Sequence, residues 1–223
     1  MDYMYLLMLL IPMAAQIYIS VTYGKYKKIK NSYDMTGYDV ARKILDDNGL
    51  NDVYVVETSG TLSDHYDPRR KTVRLSNEVY NGSSVASMAI AAHECGHAIQ
   101  DAQSYAPLKI RGAIVPVVNF GATISWPLIL IGIVLGGSHT LIMLGVLLFS
   151  LTVIFQLVTL PVEFNASSRA LKILGNSHIL YDDEISGARK VLTAAALTYV
   201  AAAASSILQL LRLLLLFGGR RDD

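Results

Sequence analysis

His93-Glu94-Cys95-Gly96-His97 sets two imidazoles four residues apart, with a carboxylate directly after the first. On an α-helix four residues turn through about 400°, so both rings project from one face, one turn apart. Two nitrogens so placed reach one tetrahedral ion, and zinc is the ion that the H-E-x-x-H spacing suits. Glu94 lies about 100° round from His93, badly placed to ligate but close enough to hold a water that the metal activates. The chemistry on offer is hydrolysis, with Glu94 as general base and then as proton carrier to the leaving amine.

A catalytic zinc takes a third protein ligand and keeps one position open. Gln100 and Gln103 occupy the positions where an extended H-x-x-G-x-x-H motif needs Gly and His, so that extension fails. Asp101, four residues after His97 on the same face, is one carboxylate within reach; support for a ligand and a surface charge are the other readings. Between Asp101 and Glu163 there is no Asp or Glu at all. Glu163 is therefore the first distant carboxylate and the expected third ligand, a plain juxtamembrane charge being the alternative. Ala166, Ser167 and Ala170 share its face at i+3, i+4 and i+7, small enough for two ligand helices to approach. Ser167 can hydrogen-bond a ligand histidine or Glu163. His65, in a loop before a strand, reads as a substrate or oxyanion contact, or as a surface residue of a turn set by Asp64 and Asp67. Cys95 faces about 200° away from His93, which suits a small core residue, with a redox switch as the alternative. It is the only cysteine, so no intrachain disulfide framework exists, and a reducing compartment fits.

The elements that carry these residues belong to an apolar chain. Its 223 residues are 52% hydrophobic and 17% charged, with a mean hydropathy of +0.39, a balance that points to membrane segments. A net charge of +1 gives no reason to expect nucleic acid as a partner. Residues 1–23 read as a transmembrane anchor, with a cleaved signal peptide as the competing reading; Lys25, Lys27, Lys28 and Lys30 follow and favour the anchor. Residues 24–113 read as a cytoplasmic part. It holds a helix opened by Thr36 and Asp39 and closed by Asn48-Gly49, strands at 52–57 and 71–76, and the motif helix capped by Ser83 or Ser84. Residues 114–162 form a membrane hairpin with a short external turn at 136–139. Residues 163–190 return to the cytoplasm with the third-ligand helix and a loop around His178, and 191–223 form a last membrane helix and tail. Every basic cluster falls on one side except Arg220-Arg221. The fold class expected is a mainly α membrane protein with a small β-sheet: a zincin-like cytoplasmic unit on about four transmembrane helices.

The segments Leu62-Ser63-Asp64-His65-Tyr66-Asp67-Pro68-Arg69, Ala92-His93-Glu94-Cys95-Gly96-His97-Ala98 and Glu163-Phe164-Asn165-Ala166-Ser167 resemble those of YugP-type neutral zinc metallopeptidases. The resemblance covers nearly the whole chain. More distantly the chain is similar to HtpX-type membrane proteases, in which motif helix and ligand glutamate also flank a transmembrane hairpin. Those proteases carry Asp where this chain has Ser167. The resemblance implies a zinc-dependent endopeptidase of the gluzincin type, multi-pass in the cell membrane with its site facing the cytoplasm. Its expected partners are peptide or protein substrates, membrane proteins among them, the lipid bilayer, and a membrane-protein subunit. The contrasting reading is a metal-binding membrane scaffold or accessory subunit without catalysis.

Overall fold

The structure, a computed structural model, describes residues 2–177 and 179–219. His178, Arg220 and Arg221, which the sequence reading places in a loop and a tail, lie outside the described residues. The chain runs α1 (Asp2–Tyr26), α2 (Gly37–Asp47), β1 (Tyr54–Thr58), β2 (His65–Asp67), β3 (Thr72–Ser76), α3 (Asn77–Tyr80), α4 (Val85–Ala102), α5 (Ala106–Val134), α6 (His139–Asn176) and α7 (Asp182–Phe217).

Four helices, α1, α5, α6 and α7, are long and apolar enough to cross a membrane. They stand in a row in which α1 packs on α7, α7 on α6 and α6 on α5. Tyr23 of α1, Arg111 of α5, Glu163 of α6 and Tyr199 of α7 border two adjoining hollows, which marks a common level on the four helices. At 1.5 Å per residue, Tyr3 to Tyr23, Arg111 to Val134, His139 to Glu163 and Tyr199 to Phe217 measure about 30, 35, 36 and 27 Å, each close to a bilayer core. Beyond that level α6 and α7 continue as helix. The expected boundaries at 162/163 and 190/191 fall inside single helices, α6 and α7, with no break of secondary structure.

The remaining elements pack around these extensions. Thr36 caps α2 with a reciprocal bond from Asp39, and Val40, Ala41, Ile44 and Leu45 are fully buried, as their helical spacing requires. The sheet has the order β1-β3-β2. β1 runs parallel to β3 with Tyr54 opposite Thr72; β2 runs antiparallel to β3 with His65 opposite Arg74. β2 is the element that the sequence reading treats as loop and turn. Ser84 caps α4 by accepting from the Ser87 N–H at 3.1 Å. The motif helix is then buried on nearly all sides, with Val73 and Leu75 of β3, Ile44 of α2, Ala170 and Leu174 of α6 and Ala188 and Val191 of α7 in one core.

Candidate metal centre

The approach of α4 to α6 sets the site. A Cβ on Gly96 would lie 2.8 Å from the Ala166 carbonyl oxygen, so only glycine allows this crossing. Ala166 and Ala170 are buried in the contact. The crossing brings Glu163 Oε2 to 3.2 Å from His93 Nε2 and 3.5 Å from His97 Nε2. Among the described residues, His93, His97 and Glu163 form the group able to hold a metal ion, with ligand atoms within 4.8 Å of one another.

Zinc fits this group. Ligands at about 2.0–2.1 Å on a tetrahedral ion lie about 3.3 Å apart, which is the spacing of the histidine nitrogens from Glu163. The outer nitrogens of both imidazoles are engaged, which leaves the Nε2 atoms facing Glu163. His93 Nδ1 lies 3.1 Å from Ser167 Oγ, and His97 Nδ1 lies 3.0 Å from Gln100 Oε1. The Gln100 amide has one orientation here. Its Nε2 donates to the Val162 carbonyl and to Asn165 Oδ1, both at 2.9 Å, so Oε1 must accept from His97. The network runs on through Arg169, which donates to Asn165 Oδ1 and to Gln103 Oε1 at 2.7 Å each. Arg111 donates to Glu163 Oε1 at 2.8 Å, leaving Oε2 for the metal.

Glu94 is buried beside the ligands. Burial raises its carboxyl above the ordinary range, and the two imidazoles pull in the opposite direction. A carboxylate so poised accepts a proton more readily than an exposed one.

Two cavities meet at this centre. One, of about 360 Å³, lies against α1 and α7 and is bounded by Ile19, Ile90, Val191 and Leu192. The other, of about 260 Å³, lies against α5 and α6 and is bounded by His65, Tyr66, Leu108, Arg111 and Thr159. Asp64, His93, Glu94 and Tyr199 line both.

The sequence-derived candidates fall as follows. His93, His97, Glu163, Glu94 and Ser167 come together. Asp101 stands outside the ligand group and accepts from the Tyr66 hydroxyl at 3.0 Å, which fastens β2 to the end of α4. His65 sits exposed on β2 at the rim of the second cavity, its Nδ1 2.8 Å from the Ser63 carbonyl. Gln100, Arg111 and Tyr199 escape the sequence reading, and Asn165, which helical spacing turns away from the Glu163 face, joins the site through Gln100. Only Gln100 carries a signal, standing three residues after His97 on the same helical face.

The whole of residues 1–218 matches the family described as "putative neutral zinc metallopeptidase". A protein of Bacillus subtilis (strain 168) described as "putative membrane protease YugP" is 51% identical over 186 residues, which cover 83% of this chain and 82% of the relative. No solved structure matches the chain.

Proposed function

The chain belongs to the neutral zinc metallopeptidase family, and from that premise we propose that it is an endopeptidase of the gluzincin type, acting at the cytoplasmic surface of the cell membrane. The observation that carries this reading is the position of Glu94 and His93 where two cavities meet. A chain cut internally needs room on both sides of the scissile bond, and this junction offers it. Zinc, when bound by His93, His97 and Glu163, supplies a Lewis acid that polarises a carbonyl and acidifies water. Glu94 takes the proton from the attacking water and returns it to the leaving nitrogen. Ser167 and Gln100 hold the two imidazoles in the ligating orientation, and Arg111 holds Glu163 by its outer oxygen. Lys25, Lys27, Lys28, Lys30, Lys109 and Arg169 cluster at the site end of the helices, which supports a cytoplasmic face. A site level with the ends of the apolar spans favours membrane proteins and their juxtamembrane tails as substrates. Asp101 and His65, at the sheet edge, are assigned to shaping the cleft and to contact with substrate.

The test compares zinc content and casein cleavage for wild type, Glu94→Gln and Glu163→Ala. Glu94→Gln is expected to keep zinc and lose cleavage, whereas Glu163→Ala loses both. Normal cleavage by Glu94→Gln would sink the mechanism.

A further inference from the structure

We propose that Tyr199 is a catalytic residue, its phenolic hydroxyl donating a hydrogen bond to the scissile carbonyl oxygen as that oxygen gains negative charge; this rests on the peptidase reading above. A peptide passing from one cavity to the other presents its scissile bond to the four residues common to both walls. His93 and Glu94 are taken up by the metal and the proton. Asp64 is an acceptor that binds the N–H of Ser76 at 2.7 Å and its hydroxyl at 3.1 Å, and a carboxylate cannot stabilise a neighbouring oxyanion. Tyr199 is the remaining donor.

Tyr199 shares a face of α7 with Val191, Leu192 and Ala195, which wall the first cavity. It lines the second cavity together with Glu94, Arg111 and Glu163. The group nearest its hydroxyl for a hydrogen bond is Glu163, and Glu163 is committed to Arg111 through Oε1 and to the metal position through Oε2. A half-buried phenol whose neighbour is so engaged can turn its O–H to the oxygen that gains charge in the transition state. The two competing donors are placed worse. Arg111 is held by Glu163, and His65 is exposed and borders the second cavity alone of the two.

In the step itself the water oxygen bonds to the carbonyl carbon, and the C=O π pair moves onto the oxygen facing Tyr199. The water proton goes to Glu94. The C–N bond then breaks, the oxygen pair re-forms the carbonyl, and Glu94 delivers its proton to the nitrogen. Tyr199 keeps its own proton throughout.

The experiment uses the full-length zinc-loaded protein, with Tyr199→Phe and His65→Ala compared by zinc content, kcat, KM and inhibition by a phosphinic peptide that mimics the tetrahedral intermediate. Removing one oxyanion donor lowers kcat by about 10²–10³-fold. Tyr199→Phe is expected to show that loss with KM and zinc content unchanged, and to bind the phosphinic peptide more weakly by a similar factor. His65→Ala, which removes a contact with bound substrate, is expected to raise KM, as loss of uniform binding does. The proposal is overturned by a Tyr199→Phe kcat within about threefold of wild type, by loss of zinc from that variant, or by transfer of the defect to His65→Ala. A wild-type protein that binds zinc but cleaves nothing removes the peptidase reading and this proposal together.

Discussion

Gln100 is fully buried, yet all of its polar atoms are matched. Its amide joins a ligand histidine to the backbone of the helix that bears the third ligand, so it specifies at once the tautomer of His97 and the register of α4 against α6. Gln100→Leu removes the acceptor from His97 Nδ1 and leaves the Val162 carbonyl without this donor. Loss of a partner of this kind weakens metal binding by about 10–100-fold, and chelator competition on the purified protein measures it. Affinity within twofold of wild type would count against the role. Cys95 makes a contrasting case two residues from each ligand. Burial pushes its thiol well above the usual range, and Sγ lies 3.6 Å from the Ala41 carbonyl. Because the folded pKa is raised, the thiol's contribution to stability is full below the unfolded value and falls as pH rises toward the folded one. The native protein is therefore expected to resist iodoacetamide at pH 9 and to react once denatured, as mass spectrometry of the Cys95 peptide would reveal. Prompt labelling of the folded protein would contradict the burial.

At the scale of elements, the meeting of α4 and α6 depends on a position without a side chain. Gly96→Ala places a carbon against the Ala166 backbone, which cannot move aside as a flexible side chain would. Overpacking of this kind costs about 1–3 kcal/mol, and the displaced helices are expected to lose zinc affinity as well as thermal stability. Gly24→Ala in α1 meets nothing within 4 Å and serves as the control, with no loss expected; equal melting temperatures for the two variants would refute the argument. Much of this arrangement is legible in the sequence. Local geometry identifies the buried face of α2, a cap at Ser83 or Ser84, of which the fold uses Ser84, and the pairing of His93 with His97. The gap in carboxylates singles out Glu163. β2 is not legible, since three residues carry no alternation and owe their extended form to pairing with β3. Nor is the continuity of α6 and α7, because a change from apolar to charged residues marks a change of solvent and leaves helix propensity intact. Gln100, Asn165 and Arg111 look like ordinary polar surface in the sequence. Only the packing of two helices distant in the chain turns them inward.

At the scale of the molecule, the membrane row and the sheet-bearing part share the site, since α5, α6 and α7 each contribute to it. α6 is the element common to both. It is one 38-residue helix whose first part is long and apolar enough to cross a membrane and whose next turns carry Glu163 and Ser167. A helix whose apolar length differs from the hydrocarbon thickness tilts to relieve the mismatch. Tilting α6 would move Glu163 relative to α4, which packs against α2, α3 and the sheet. In vesicles of increasing acyl-chain length, zinc affinity is expected to pass through a maximum near the thickness that matches about 36 Å of helix. A flat response across the series would show the two parts to be uncoupled. With a maximum in that series, Glu163 would stand on a ruler that measures the bilayer, and lipid composition would act on the metal group in a way that no substitution near it would imitate.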